Sequence, residues 1–196
     1  LEKINTEIRQ QLRTEEGRNE NPSAGIIDSQ TVKGTQESSE ESGFDGGKLI
    51  KGRKRHIVVD TIGYLLIVVV HAANLYDGHA AREVLTALFS GINTIKKIWA
   101  DGTYRGEEFI QWVSDQFGCV LEVVKKKSTG KGFGVLPRRW VVERTFAWLG
   151  RFRRLSREYE RKPTSSAGQV YLASSRFMLR RLAKERVAGR IIPGVP

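Results

Sequence analysis

Apolar residues open the chain at helical spacing, Leu1, Ile4, Ile8 and Leu12, so Leu1 to Arg13 reads as an amphipathic helix. A polar stretch from Thr14 to Ser23, ending in Asn21-Pro22-Ser23, breaks that period and reads as a linker. Apolar runs then shorten to strand length. Ala24 to Gln30 predicts a strand, and Thr35 to Gly47, rich in Ser, Glu and Gly, predicts a mobile surface loop. Arg55 to Asp60 and Tyr64 to His71 are β-rich runs joined by Asp60-Thr61-Ile62-Gly63, which predicts a hairpin.

Asp77-Gly78-His79-Ala80-Ala81 opens a helix with Asp77 as N-cap, running to Leu88 or Phe89. Thr94 to Ala100 reads as a strand that delivers Asp101 at its end. Gly106 to Phe117 is a helix and Val120 to Val124 a strand. Lys125 to Pro137 is a basic, Gly-rich loop. A long helix starts near Trp140, and Ser165 to Arg186 forms a final one. Three strands followed by alternating helices and strands predict an α/β chain, a mixed sheet covered on both faces.

Projecting the helix after Trp140 at about 100° per residue puts Val141, Trp148, Phe152, Leu155 and Tyr159 on one side. Arg139, Glu143, Ala147, Gly150, Arg154 and Arg157 fall on the other. Glu143 thus stands on a polar face among arginines. Two readings stay open: an ordinary exposed (i, i+4) ion pair with Arg139, or a functional carboxylate that small Ala147 and Gly150 leave open to a ligand.

Charge narrows the partners. The 196 residues carry a formal +11 with 39% hydrophobic content, enough for one domain-sized core and a surface that attracts polyanions. DNA or RNA is the expected partner, because basic side chains that neutralise phosphates release counterions. One cysteine, Cys119, rules out an internal disulfide framework and a cysteine zinc site. The longest apolar run, Tyr64 to Ala73, is too short to span a bilayer, and no signal peptide is recognisable.

Three acids stand in distinctive places: Asp28 after Ala24-Gly25-Ile26-Ile27, Asp101 after Ile98-Trp99-Ala100, and Glu143 within Arg138-Arg139-Trp140-Val141-Val142-Glu143-Arg144. Two sit where strands end and one where an arginine-rich helix begins. That is how a fold gathers distant carboxylates around divalent metal ions.

The stretches Ile27-Asp28-Ser29-Gln30-Thr31-Val32-Lys33, Gly52-Arg53-Lys54-Arg55-His56, Ala100-Asp101-Gly102-Thr103-Tyr104 and Arg138 to Arg144 resemble the DDE transposases of bacterial insertion sequences, in the branch called the fifth insertion-sequence family. The resemblance covers Ile26 to Leu182. It implies a ribonuclease H-like mixed sheet flanked by helices, with Asp28 on the first strand, Asp101 just after the fourth and Glu143 on a helix against the sheet. It implies Asp28, Asp101 and Glu143 as catalytic residues and ligands of two Mg²⁺ or Mn²⁺ ions. The implied reaction is cleavage at transposon ends and transfer of the 3′-hydroxyl strand into target DNA. No Ser or Tyr nucleophile is needed for it. Double-stranded DNA is the implied partner, with a homodimer in the synaptic complex, at the bacterial nucleoid in the cytoplasm. The related signature Y-x2-R-x3-E-x6-K maps Arg139 and Glu143, but puts Leu136 at the Tyr position and Gly150 at the Lys position; Arg151 or Arg154 stands nearest to replace that lysine.

The domain expectation is 1–23 as the remnant of an amino-terminal DNA-binding region, 24–186 as the catalytic domain and 187–196 as a tail. Expected DNA contacts are Lys51, Arg53, Lys54 and Arg55 before the second strand, Lys125, Lys126, Lys127, Arg138 and Arg139 before Glu143, and Arg151 and Arg154 after it. His56 reads either as near the site or as a strand-edge residue with a solvent-facing side, and Asp60 as a turn residue. His71 and His79 lack a third ligand at zinc spacing. Trp99, Trp112 and Trp148 read as core, and Trp140 as the aromatic nearest DNA. Two other functions stay in play: a non-catalytic DNA-binding protein of the same fold, and a structure-selective nuclease with the same metal chemistry.

Overall fold

The computed structural model describes residues 1–38, 40–124 and 138–187. Helix α1 (Glu2–Glu15) precedes strands β1 (Ala24–Lys33), β2 (Gly43–Asp45), β3 (Ile50–Asp60) and β4 (Leu65–Ala72). Then follow α2 (Asp77–Gly91), β5 (Lys97–Ala100), α3 (Glu107–Phe117), β6 (Val120–Val123), α4 (Trp140–Leu149) and α5 (Pro163–Val187). Among the described residues the strands form one sheet in the order β2-β3-β1-β5-β6, with β4 also paired to β3. β1, β5 and β6 run parallel, while β3 runs antiparallel to β1, β2 and β4.

Both faces of this mixed sheet are buried, as strands with apolar residues at consecutive positions require. Ile27 and Val58 join α2 and α3 in one core. Ile26, Ile57, Val59 and Trp99 join α4 and α5 in the other. Helix α1 packs onto α5, where Leu12 meets Met178 and Leu182, and Asn5 Nδ2 donates to Ser175 Oγ at 3.0 Å.

The β3–β4 hairpin forms the seat of α4. The Asp60 carboxylate accepts the backbone N–H groups of Ile62, Gly63 and Tyr64, each at 2.9 Å, and is paired with Arg13 of α1. Gly63 sits at φ +100, a conformation that strains any side chain. Thr145 Oγ1 donates to the Gly63 carbonyl at 2.9 Å, and Arg144 donates to that of Ile62. Through these bonds the hairpin fixes the helix that carries Glu143.

Four expectations need correction. The segment expected as a mobile loop contains β2, closed by Asp45, whose carboxylate accepts the Gly47 and Lys48 amides at 3.0 and 3.1 Å. Because β2 adds a strand, Asp101 follows the fifth strand in chain order. Asp77 is not an N-cap: Tyr76 holds that place, and the Asp77 carboxylate pairs with Lys54 at 2.9 Å. The helix from Trp140 ends at Leu149, and Arg153 to Leu155 form a separate 3₁₀ turn. The chain bends there because Leu155 enters the core and Glu158 reaches β3, so Arg154, Arg157 and Tyr159 do not continue the faces projected from Glu143. The expected basic loop falls on residues 125–137, and the tail beyond Val187 on 188–196; both lie outside the described residues.

Candidate active site

Parallel pairing of β1 with β5 runs from Ala24↔Lys97 to Ile26↔Trp99 and stops. Asp28 and Asp101 stand two residues beyond that last rung on neighbouring strands. Side chains alternate along a strand, so Asp28 shares the face of Ile26, which lies under α4. Asp101 follows Trp99, of the same core, by two residues. On α4, Val141, Val142, Thr145, Phe146 and Leu149 are buried, which leaves Glu143 at the exposed margin, its side chain 53% accessible.

The three carboxylates meet around one guanidinium. Arg139 Nη2 lies 3.8 Å from Asp28 Oδ2, 3.9 Å from Asp101 Oδ2 and 3.4 Å from Glu143 Oε1. Each aspartate uses its other oxygen on its own chain: Asp28 Oδ1 accepts the Ser29 amide at 2.8 Å, and Asp101 Oδ1 accepts the Thr103 amide at 2.8 Å and the Thr103 hydroxyl. Charge-assisted bonds usually close to about 2.7–2.9 Å, so Arg139 balances the acids at longer range. Burial pushes the Asp28 carboxyl up to about 6; the Ser29 amide and Arg139 lower it, and Asp101 and Glu143 raise it. A buried acid with two further carboxylates beside it favours a nearby cation. Among the described residues, no three His, Cys, Asp or Glu side chains are grouped so as to hold a metal ion as they stand.

Of the expected DNA contacts, Arg53 and Arg55 turn inward. Arg53 is fully buried and donates to the carbonyls of Glu40, Glu160 and Arg161. Arg55 donates to the Leu155 carbonyl at 2.7 Å and pairs with buried Glu158 at 3.0 Å. Lys54, also buried, faces the other side, bound to the Leu75 carbonyl and to Asp77. These three hold the fold together and leave no free charge for phosphate, which corrects the expectation. Lys51, Arg138, Arg151 and Arg154 are exposed, with Arg138 stacked over Trp99 at 4.4 Å and Arg154 paired with Glu160 at 2.8 Å. Lys125, Lys126 and Lys127 lie outside the described residues.

The solvent-facing reading of His56 is also corrected. It is buried, on the α2 and α3 face of the sheet, opposite the carboxylates, where it contacts His71 and Tyr104. Trp99 is core, Trp148 stacks on Phe177, and Trp140 is exposed with Arg144 over its ring at 4.4 Å. Sequence reasoning missed Glu158 as the partner of the β3 arginines; its one visible signal is an acid set among Arg153, Arg154, Arg157 and Arg161. Arg139 was recognised as a partner of Glu143, yet its position at the centre of all three acids depends on the packing of α4.

A family model described as "Transposase DDE domain" matches residues 19–173. Over 118 residues the chain is 33% identical to the Burkholderia cepacia protein named "Putative transposase for insertion sequence element IS402", covering 57% of this chain and 55% of that protein. The chain therefore spans about half the length of this curated relative. In three dimensions it is similar to a chain in the cryo-electron microscopy structure of a simian T-cell lymphotropic virus intasome in complex with PP2A regulatory subunit B56 gamma, with a TM-score of 0.51 and 15% identity over 77% of this chain and 48% of that one. At that identity the likeness concerns the fold, which is ribonuclease H-like. From the family match over most of its length, the chain belongs to the transposase DDE domain family.

Proposed function

We propose that this chain is the catalytic domain of an insertion-sequence transposase that cuts DNA at transposon ends and joins the released 3′-hydroxyl strand to target DNA. The observation that carries this is the meeting of Asp28, Asp101 and Glu143 around Arg139. The donor set fits hard cations, which take carboxylate oxygens. Asp28 and Asp101 each turn one oxygen away from their own backbone, toward the side from which Glu143 enters. Mg²⁺ or Mn²⁺ bound there, as two ions, would stabilise charge on the entering and leaving oxygens of an in-line displacement.

The chain's own residues do the rest. Thr103 holds Asp101 and the Ser29 amide holds Asp28, so both reach the site already oriented. Arg139 offsets the carboxylate charge and stands within reach of a DNA phosphate at the same place. Exposed Lys51, Arg138 and Arg151 supply charge for the backbone, and exposed Trp140 at the start of α4 offers a face for a base. Two transposon ends call for two catalytic sites, so we propose a homodimer as the synaptic assembly, acting at the nucleoid in the cytoplasm. No helix among the described residues is long and apolar enough to cross a membrane.

The test is incubation of the chain with labelled end-sequence DNA, target DNA and Mn²⁺. Nicked ends and joined products are the expected result. Nicks without joining would indicate a nuclease, and DNA binding with neither product would indicate a binding module.

A further inference from the structure

On the face of the sheet opposite the carboxylates lies a buried polar chain that the reaction does not use. His56 Nε2 is 2.6 Å from the Tyr104 hydroxyl, His56 Nδ1 is 2.9 Å from His71 Nε2, and His71 Nδ1 is 3.0 Å from the Ala72 carbonyl. A carbonyl only accepts, so His71 Nδ1 carries a proton and donates it. His71 Nε2 then accepts from His56 Nδ1, and His56 Nε2 accepts from the Tyr104 hydroxyl. The Ser29 side chain lies beside the same phenol. Burial keeps both imidazoles neutral, pushing His56 down to about 3 and lowering His71 as well. No ring nitrogen or phenol oxygen in this chain of bonds is left without a partner.

Its location gives it a task. Backbone pairing of β1 with β5 ends at Ile26↔Trp99, two residues short of both aspartates, so no ladder bond fixes Asp28 relative to Asp101. The 3₁₀ turn Gly102–Tyr104 starts from Asp101 and ends on Tyr104. Ser29 follows Asp28 directly and is the register partner of His56. The bonds from Tyr104 therefore tie the turn that carries Asp101 to the strands beside Asp28.

We propose that the Tyr104–His56–His71 chain is a positioning device that sets Asp101 against Asp28 for metal binding, with Tyr104 and His56 as positioning residues. This rests on the metal-site reading above. Outer partners that orient ligands typically change metal affinity by about 10–100-fold when removed. Tyr104→Phe deletes only the hydroxyl and keeps the buried ring among Phe109 and Val113.

The experiment measures Mn²⁺ uptake from the loss of the free-ion electron paramagnetic resonance signal, and amide exchange at Thr103, whose N–H donates to the Asp101 carboxylate. In Tyr104→Phe we expect Mn²⁺ affinity to fall by on the order of tenfold and Thr103 to exchange faster, with the far-ultraviolet dichroism unchanged. His56→Gln, which can still accept from Tyr104, should lose less affinity than His56→Leu, which cannot. Wild-type Mn²⁺ affinity in Tyr104→Phe would overturn the proposal, as would equal losses in the two His56 variants. If the unaltered chain takes up no Mn²⁺, the metal-site reading fails instead; Thr103 exchange then decides the positioning claim, faster exchange supporting it and unchanged exchange overturning it.

Discussion

Asp101→Asn will leave the chain folded and bound to DNA while cutting its nicking rate by on the order of a thousandfold. Charge stabilisation at a metal-assisted displacement is worth several kcal/mol, and each step of about 1.4 kcal/mol is a factor of ten in rate. The amide is nearly the same size and keeps an oxygen that can accept from the Thr103 N–H and hydroxyl, so the turn after β5 survives. What disappears is one negative charge facing Arg139. Lys51, Arg138 and Arg151 are untouched, so the DNA dissociation constant should stay within about twofold, as expected when phosphate contacts carry affinity. Rates are measured by single-turnover nicking in Mn²⁺ with protein above the DNA dissociation constant. A variant that nicks within tenfold of the parent would remove Asp101 from the reaction.

Glu158→Ala will have the largest effect on stability, at an acid remote from the proposed chemistry. Glu158 is fully buried, with Oε2 bonded to Arg55 and to the Ser166 hydroxyl at 2.8 Å, and with Oε1 3.6 Å from Arg53. Removing one partner of a buried ion pair typically costs about 3–5 kcal/mol, because the other charge is left unpaired. Here two guanidinium groups lose their counter-charge. Burial already lowers the Arg55 pKa, with Glu158 pulling it back up, so the removal weakens the protonated form further. Glu158→Gln keeps an acceptor for Ser166 and Arg55 and should lose less. Urea unfolding at neutral pH measures both. A loss below about 1 kcal/mol for Glu158→Ala would show that carbonyls alone satisfy the two arginines.

These two residues mark how far the sequence could be read. The strand that carries Asp28, the Gly106 to Phe117 helix and the apolar faces over Ile26 and Ile27 follow from local periodicity, and the structure keeps them with changes at their ends. Asp101 and Glu143 sit at element ends, which are local features, whereas Asp28, expected where its strand ends, lies in the middle of β1 because pairing with β3 carries the strand on to Lys33. Their meeting on Arg139 depends on α4 being seated by the Gly63 turn, a contact between residues far apart in the chain.

The basic run Arg53-Lys54-Arg55 misled for a related reason. Read as composition it looks like a surface, but within β3 its side chains alternate between the two faces. Arg53 and Arg55 meet the segment around Glu158, and Lys54 meets α2. Such burial requires acceptors that only the fold brings near, the carbonyls of Leu155, Glu160 and Arg161. Periodicity likewise extended the helix of Glu143 past Leu149, where burial of Leu155 and Glu158 turned the chain out of helical register.

The most direct measurement of the central claim is anomalous scattering from crystals of the chain soaked in Mn²⁺. Manganese peaks bounded by oxygens of Asp28, Asp101 and Glu143, with the Arg139 guanidinium moved away from them, are the predicted result. Arg139 still holding all three carboxylates at saturating Mn²⁺, with manganese elsewhere or nowhere, would contradict it.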